Sequence, residues 1–402
     1  MQVKRRHATL QRNQPFRPLP RPSGTPPFHL SLADLLPDDA MRRIEQRGNL
    51  VFHAIGDTGG VRSPFAQQIV AQHLQTDADF MYLLGDIVYY YGQAGEYFPQ
   101  FYEPYAQYPA PIFAIPGNHD GDVIDPTTAS LDAFVQAFCA STQQATPLSG
   151  EIQRNTMVQP NVYWTLETPF ATIVGLYTNV PEGGSLDSDQ VGWLHSELQS
   201  APRDKALIIA THHPVYSADR YHGGSEYMEE VLDLAMQKTG RVADLVLSGH
   251  VHNYQRYSRS VGETRVPYLV VGAGGYWHLH EMQAGVEPGM PMPDAPGLTL
   301  DQYVADRHGF LRVEVSASAL RMQYFTVPRP HEHWSDPAAV FDDVTVSIGQ
   351  QPMHVEVPPP PEPVMEPLAP EPVLIGAEAT NGQPVTAEAL ESAEPRTSFG
   401  GP

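Results

Sequence analysis

Five short motifs contain the residue types that bind metal ions in proteins: carboxylates, an amide, a phenol and imidazoles. Each motif follows a short apolar run that is typical of a buried strand. In four of them a glycine directly precedes the first polar residue, which permits a sharp turn and leaves room for an ion. The motifs are Gly56-Asp57-Thr58-Gly59-Gly60, Gly85-Asp86-Ile87-Val88-Tyr89, Gly117-Asn118-His119-Asp120, Thr211-His212-His213-Pro214 and Gly249-His250-Val251-His252.

Each motif by itself has an ordinary structural explanation. A Gly-Asp pair after a strand is commonly only a turn, and Gly-Asn-His-Asp can be a turn capped by its own side chain. The pair of His250 and His252 alone fits two surface histidines as well as a metal site. All five motifs, however, occur in order at predicted strand ends. We therefore interpret them together as one site.

The number of ligands favours two metal ions over one. A carboxylate can bridge two metals, imidazoles and an amide oxygen add single bonds, and a phenolate suits a hard trivalent ion. The assignment is Asp57, Asp86, Tyr89 and His252 for one ion, and Asp86, Asn118, His212 and His250 for the other. Four protein ligands leave open positions at each ion for a bridging hydroxide and substrate oxygens, as a two-metal hydrolase requires.

Alternating strands and helices position these motifs. The predicted strands are 50–55, 80–84, 112–115, 162–166, 172–176, 206–210, 245–247, 267–271, 310–315 and 320–326, and the predicted helices are 64–74, 131–138, 191–198 and 226–236. The alternation implies a mainly parallel sheet covered by helices, and the later strands suggest a second, mixed sheet. Because ligands bind at the carboxyl ends of strands in such sheets, the five motifs should converge.

The composition limits the partners and the cellular location. A formal net charge of −22 argues against a nucleic acid partner, whereas an anionic substrate is compatible if bound cations reverse the local field. Cys139 is the single cysteine, which excludes an intrachain disulfide and suggests a reducing compartment. No segment resembles a secretory signal, and no apolar run reaches the ~20 residues needed to span a bilayer. We therefore expect a cytoplasmic protein without a membrane partner.

The 40 prolines are concentrated at the two ends of the chain. Residues 1–45 are predicted to be a proline-rich extension, 46–350 the catalytic domain, and 351–402 a proline- and glutamate-rich disordered tail. The first segment, like the tail, is expected to be extended or disordered and to lie outside the folded body. The tail is interpreted as a solubilising segment, and docking of a proline-binding module is the alternative.

Over about residues 48 to 330 the order GDTGG, GDIVYYYG, GNHD, THHPVYS and GHVHNYQR resembles the calcineurin-like metallophosphoesterase superfamily. Within it, the chain is most similar to the small, single-domain purple acid phosphatases. Many superfamily members have a histidine two residues after the first aspartate, where this chain has Gly59. Purple acid phosphatases lack that histidine and have a tyrosine three residues after the second aspartate, where this chain has Tyr89.

The resemblance implies both a fold and a chemistry. The fold would be a four-layer αββα sandwich, in which two mixed β-sheets are flanked by helices. The reaction would be hydrolysis of phosphate monoesters by a metal-bound hydroxide. The cofactors would be Fe(III) in the tyrosine site and a divalent Fe, Zn or Mn beside it.

The resemblance also implies roles for two histidines outside the ligand set. His119 would contact the phosphoryl group and help to protonate the leaving oxygen, the alternative being a group that only holds Asp120. His222 would be a second substrate-facing histidine, although its loop is one residue longer than in the family. Three further histidines are interpreted as lying outside the ligand set. His213 is expected to face away from the metals, and His278 and His280 are expected at the surface, with the rim of the pocket as the alternative.

Three functions are compatible with these features. The first is a phosphomonoesterase that acts on a small phosphorylated substrate. The second is a phosphodiesterase, for example on cyclic nucleotides, which would use the same metal centre. The third is a non-catalytic phosphate-binding scaffold, but all seven ligand positions and His119 are filled, which argues against it.

Overall fold

The computed structural model of the chain describes residues 15–74, 78–125, 127–292 and 295–348. Within these ranges the strands are β1 (His29–Ser31), β2 (Asn49–Ile55), β3 (Phe80–Leu84), β4 (Ile112–Ile115), β5 (Trp164–Glu167), β6 (Ala171–Gly175), β7 (Ala206–Ala210), β8 (Leu245–Ser248), β9 (Tyr254–Val261), β10 (Thr264–Val271), β11 (Met290–Pro291), β12 (Leu298–Val304), β13 (Gly309–Ser316), β14 (Ala319–Thr326) and β15 (Ala339–Ser347). The α-helices there are α1 (Asp38–Arg47), α2 (Phe65–His73), α3 (Asn118–Gly121), α4 (Asp132–Phe138), α5 (Ser188–Ser200) and α6 (Glu226–Thr239).

The strands form two mixed sheets. The six-stranded sheet has the order β15-β14-β13-β2-β3-β4, with β2, β3 and β4 parallel. The nine-stranded sheet has the order β1-β5-β6-β7-β8-β10-β9-β12-β11, with β6, β7, β8 and β10 parallel. Two mixed sheets flanked by helices confirm the predicted fold class. Five of these parallel strands, β2, β3, β4, β7 and β8, lead into the five motifs.

Local sequence explains the central elements. From Leu50 to Ile55 every residue of β2 is buried, as expected for a strand covered on both faces. The two long helices begin at side-chain caps. Asp187 accepts a hydrogen bond from the Gln190 N–H at 2.8 Å before α5, and Ser225 caps α6 in the same way. Such caps satisfy backbone donors that a helix start leaves unpaired.

The predicted strands and helices are all present, with ends that differ by at most three residues. The sequence did not predict the short elements β1, α3 and β11, nor the longer α1, β9, β12 and β15. In β15 exposed and half-buried residues alternate, so this edge strand has little apolar content to reveal it. Helix α1 has a single buried residue, Ile44, among ten mostly charged positions, which masks its helical period.

The prediction that residues 1–45 lie outside the folded body is wrong for the part that the structure describes. Strand β1 pairs in parallel with β5, and Phe28, Leu30 and Leu32 are buried in the main core. Upstream of β1, the Arg17 guanidinium forms an ion pair with Asp122 at 2.9 Å. Proline content suggested an unstructured segment, but the alternation of apolar residues at 28, 30 and 32 is a strand pattern.

The His29 side chain links β1 to the rest of the domain, so the stability gained from this contact should depend on pH. Its Nδ1 and Nε2 lie 2.8 Å from Glu167 and 2.7 Å from Glu197, and the hydrogen bond to Glu197 raises the pKa of His29 despite partial burial. A raised pKa means that the stabilisation is complete below the unfolded value of about 6.5 and is lost as pH rises through the folded value. We expect His29→Gln to lower the melting temperature at pH 5.5 and to have less effect at pH 9. An equal effect at both pH values would contradict this assignment.

The predicted tail, residues 351–402, lies outside the described residues. The 46–350 extent of a catalytic domain stays a prediction, although β15 reaches Ser347. In the part of the chain that the structure describes, no helix is both long and apolar enough to cross a bilayer.

Candidate metal centre

The five motifs lie where the carboxyl ends of the parallel strands from both sheets meet. Hydrogen bonds join the two sets of loops directly. The His212 Nδ1–H after β7 donates to the Leu84 carbonyl at the end of β3, at 2.8 Å. The Gly56 N–H after β2 donates to the Val271 carbonyl at the end of β10 at 2.8 Å, and within the nine-stranded sheet the Gly249 N–H after β8 donates to the His212 carbonyl at 3.0 Å. The loops are therefore positioned by main-chain and imidazole hydrogen bonds between the sheets.

Three of the predicted ligands occupy strained backbone conformations. Asp57, Asp86 and His250 have φ angles of 58°, 52° and 67°, a region that side chains rarely adopt. Strain of this kind persists only where the surrounding structure imposes it, and it concentrates at functional sites. The sequence suggested that the glycines take the turn, but here the residue after Gly56, Gly85 and Gly249 takes the positive φ, with Gly85 doing so as well.

The first group of donor atoms comes from Asp57, Tyr89 and His252. The Tyr89 hydroxyl lies 3.2 Å from Asp57 Oδ1 and 3.2 Å from His252 Nε2. His252 Nε2 and Asp57 Oδ1 are 3.4 Å apart. Three donor atoms at these mutual distances face a common point, which matches three of the four ligands predicted for the tyrosine-bearing ion.

The second group comes from Asp86, Asn118, His212 and His250. Asn118 Oδ1 lies 2.9 Å from His212 Nε2 and 3.0 Å from His250 Nδ1. Asp86 Oδ1 is 3.3 Å from His212 Nε2, and donor atoms of Asp86, His212 and His250 lie within 4.8 Å of one another. These are the four ligands predicted for the other ion.

Hydrogen bonds select the imidazole nitrogen that each histidine presents. His212 and His252 donate their Nδ1–H to backbone carbonyls, the latter to His278 at 3.1 Å, so that Nε2 faces the donor groups. His250 has the opposite arrangement, because its Nδ1 faces Asn118 and its Nε2 is directed at Glu182, 3.5 Å away. A partner on the far nitrogen is the usual way in which metal-binding histidines are oriented.

The charges of the site fit bound cations. Asp57 and Asp86 are 0% and 1% exposed, and among the described residues their ion-pair partners are His252 and His212. Burial raises the pKa of Asp57 well above its usual range, and the neighbouring Asp86 raises it further, although His212 opposes both. Two buried carboxylates without lysine or arginine are costly unless cations neutralise them. The donor set, mixed oxygen and imidazole nitrogen, suits di- or trivalent transition metals.

The two histidines predicted to face the substrate flank these groups. The His119 backbone N–H donates to Asp86 Oδ1 at 2.9 Å, and its Nδ1–H donates to the Tyr90 carbonyl at 2.9 Å. The Asp120 carboxylate accepts backbone N–H groups, including that of Gly117 at 2.8 Å, so it is held without the His119 ring. The ring of His222 lies 4.5 Å from that of His250.

Comparison with known proteins identifies the family. The model of the calcineurin-like phosphoesterases matches residues 50–254. The chain belongs to this family. Among curated proteins it is 30% identical over 122 residues to purple acid phosphatase 21 and 31% identical over 125 residues to purple acid phosphatase 18, both of Arabidopsis thaliana. Each alignment covers 29% of this chain and 27% of the relative, so the chain matches about a quarter of the length of these relatives.

Solved structures with the same fold cover more of this calcineurin-like phosphoesterase. A purple acid phosphatase from yellow lupin seeds superposes with a TM-score of 0.53 at 18% identity, covering 74% of this chain and 54% of that protein. PhoD superposes with a TM-score of 0.51 at 13% identity, over 75% of this chain and 70% of its own. GAP50 of Plasmodium, the anchor in the inner membrane complex, has a TM-score of 0.50 at 14% identity, with coverages of 75% and 89%. At such identities the likeness concerns the fold.

Packing around Gly59 explains why this family member has no histidine at that position. A Cβ atom there would lie 2.7 Å from Tyr89 Cδ2 and 2.5 Å from Gln100 Oε1. Gln100 in turn holds the tyrosine, because it accepts the Tyr89 N–H and donates to the Tyr89 carbonyl, each at 3.0 Å. Tyr89 and Gln100 therefore occupy the space that a histidine at position 59 would need.

Glu182 is a site residue that sequence reasoning missed. Its Oε1 lies 2.9 Å from His222 Nδ1 and 3.5 Å from His250 Nε2, which otherwise has no hydrogen-bond partner among the described residues. Burial opposes ionisation of Glu182, but the adjacent His250 and His222 hold its pKa well below the usual range. A signal was available, since β6 is a parallel neighbour of β7 and its following loop opens on the same edge.

The remaining histidines differ in position. His213 Nδ1 hydrogen bonds to the Thr178 hydroxyl at 2.8 Å and takes no part in the two donor groups. His278 is exposed, as expected. The interpretation of His280 as a surface residue is wrong, because it is 6% exposed and its ring packs 4.2 Å from that of His252. Its Nδ1 lies 3.0 Å from the buried carboxylate of Asp219, a partner that the sequence does not reveal.

Proposed function

We propose that the chain is a dinuclear-metal phosphoesterase that hydrolyses phosphate monoesters. The observation that carries the proposal is the division of seven donor residues into two adjacent groups, six of them buried and Asn118 half-buried. Asp86 Oδ1 lies next to His212 Nε2 in the second group. In the first group, burial and the charge of Asp57 raise the pKa of Tyr89, and the negative charge of Asp86 raises it further. A carboxylate between two such groups is the expected bridge in a two-metal site.

Two cations would be held by the seven residues assigned above: Asp57, Asp86, Tyr89, Asn118, His212, His250 and His252. We infer Fe(III) beside Tyr89 and a divalent Fe, Zn or Mn beside Asn118, because a phenolate suits a hard ferric ion. Such a pair supplies Lewis acidity to the phosphoryl group and lowers the pKa of the attacking water.

The surrounding side chains would bind the substrate and move the proton. Because the His119 Nδ1–H is held by the Tyr90 carbonyl, the Nε2 atom remains to donate a proton to the leaving oxygen. His222, whose Nδ1 is fixed by Glu182, would offer Nε2 to a phosphoryl oxygen. In each case the hydrogen bond on one nitrogen fixes the direction of the other.

Two competing functions would use the same fold. A phosphodiesterase would retain the donor groups and differ in the shape of its substrate pocket. A non-catalytic scaffold is suggested by GAP50, a fold neighbour described as an anchor, but it does not require two converging groups of donor atoms. We expect a small phosphorylated substrate and a cytoplasmic location. The alternative role of the tail, binding a proline-recognition module, concerns residues outside those described.

Metal analysis combined with two aryl esters tests the proposal. The full chain would be purified, its metals quantified, and its turnover of 4-nitrophenyl phosphate compared with that of bis(4-nitrophenyl) phosphate. Two metal equivalents with a monoester preference support the proposal. A diester preference would favour the phosphodiesterase, and stoichiometric metal without turnover of either ester would favour the scaffold.

Tyr89→Phe tests the ferric site separately from activity. Burial raises the pKa of the Tyr89 phenol, and Asp57 and Asp86 raise it further, so only a strongly charged cation would bind it as phenolate. We expect the oxidised protein to have a visible phenolate-to-iron charge-transfer band that Tyr89→Phe removes while the fold is kept. Tyr91→Phe, two residues away and outside the donor groups, should retain the band. A colourless wild type with full ferric occupancy would exclude Tyr89 as a ligand.

A further inference from the structure

The loop after β10 fixes an aromatic residue, Trp277, at the edge of the metal centre. The residues on both sides of it are bonded to predicted metal ligands. The Tyr276 N–H donates to the Asp57 carbonyl at 2.9 Å, and the His278 carbonyl accepts the Nδ1–H of His252 at 3.1 Å. The backbone of Trp277 is therefore held by the same residues that form the first donor group, although its side chain belongs to neither group.

The indole of Trp277 is exposed to solvent, although the backbone on both sides of this residue is fixed by hydrogen bonds. It is 40% exposed, whereas Trp164 and Trp193 are 0% and 9% exposed. The Arg62 guanidinium lies 5.9 Å from the indole centroid and 5.6 Å from the ring of Tyr90. Among the described residues Arg62 forms no ion pair, so its charge is available in a chain whose net charge is −22. A large ring left in water beside an unpaired cation is typical of a binding surface.

Tyr90 and Tyr276 connect the exposed Trp277 and Arg62 to the neighbourhood of His119. The hydroxyls of Tyr90 and Tyr276 are 3.2 Å apart, which joins the two residues that flank Arg62 and Trp277. The ring of Tyr90 also lies 5.8 Å from the imidazole of His119, the residue proposed to protonate the leaving oxygen. A group leaving past His119 therefore meets the rim formed by Tyr90, Tyr276, Arg62 and Trp277.

We propose that Trp277 and Arg62 form a subsite for a planar aromatic ring in the leaving group. The substrates would then be phosphate monoesters of nucleosides or of phenols rather than of simple alcohols or sugars. The ring stacks on the indole, which accepts any base because every base has a π-face, and the Arg62 charge attracts the anionic ester. This inference rests on the proposed monoesterase function and specifies its substrate class.

A matched pair of esters measures the contribution of the aromatic ring to kcat/KM. Adenosine 5′-monophosphate and ribose 5-phosphate have the same primary ester oxygen and differ in the presence of the base. For the metal-loaded wild type we expect kcat/KM to be roughly tenfold higher for the nucleotide, the effect of stacking one base. Trp277→Ala should remove most of this ratio and Trp277→Phe should retain much of it. Phe341→Ala, which truncates an exposed ring on β15, should leave the ratio unchanged.

A second comparison distinguishes nucleosides from phenols as the source of the ring. The fold loss caused by Trp277→Ala is measured on adenosine 5′-monophosphate and on phosphotyrosine, and the larger loss identifies the preferred class. A wild-type nucleotide-to-sugar ratio near one, or equal losses on both members of the pair in Trp277→Ala, would overturn the subsite and leave the monoesterase standing. If the metal-loaded wild type hydrolyses none of these monoesters, the proposed function fails and the subsite with it.

Discussion

Asp86→Ala is expected to abolish hydrolysis and to remove both cations from the protein. Asp86 touches the second donor group directly, since its Oδ1 lies 3.3 Å from His212 Nε2. Burial disfavours the charged form of His212, yet the charge of Asp86 raises the pKa of that imidazole to about 9. In the first group, burial and the charge of Asp57 raise the pKa of Tyr89, and the charge of Asp86 raises it further. Removing Asp86 therefore takes negative charge away from both groups at once.

The expected loss of turnover is at least as large as the roughly 10²–10⁴-fold that follows from deleting a positioned acid or base. Metal content after dialysis and turnover of a monoester would both be measured. Asp86→Asn has nearly the same shape without the charge, so metal loss in both variants assigns the effect to the carboxylate. Asp79→Asn removes a carboxylate just before the other end of β3 and should keep both cations. An Asp86→Ala protein that still holds two equivalents would exclude the bridging role.

The convergence of the seven candidate ligands could be predicted from sequence because each of them lies within a few residues of the end of one strand. Asp57 directly follows the glycine after β2, and His250 the glycine after β8, so a local pattern identifies them. Their convergence follows from a general rule for parallel strands, which the two parallel sets here obey. A local pattern combined with a topological rule was sufficient for this part of the site.

Other parts of the site depend on contacts between distant segments, which no local pattern contains. Glu182 faces His250 across 68 positions of sequence, and His280 is buried because it meets Asp219 and His252. In the same way, β1 joins the nine-stranded sheet by pairing with β5. The paired residues His29 and Thr165 are 136 positions apart in the sequence. The proline-rich composition described the segment as a whole, whereas three apolar residues and one histidine determine where it docks.

His119→Ala is expected to keep both cations and to lower turnover by roughly 10²–10⁴-fold on an alkyl phosphate. The cations should remain because His119 contacts Asp86 through its backbone N–H, which alanine retains. The imidazole is oriented by its bond to the Tyr90 carbonyl and by packing 4.6 Å from the Tyr89 ring. The substitution therefore removes only the imidazole, which is the proposed proton donor.

The leaving group separates proton donation from a general disturbance of the site. An alkoxide leaves poorly without a proton, whereas a nitrophenolate leaves readily, so a lost general acid should matter much less for 4-nitrophenyl phosphate. We would compare kcat for both esters in the wild type, in His119→Ala and in His278→Ala, whose exposed imidazole lies outside the donor groups. Equal losses on the two esters would make His119 a positioning residue. Loss of a metal from His119→Ala would instead show that its ring supports Asp86, since the backbone contact is unchanged.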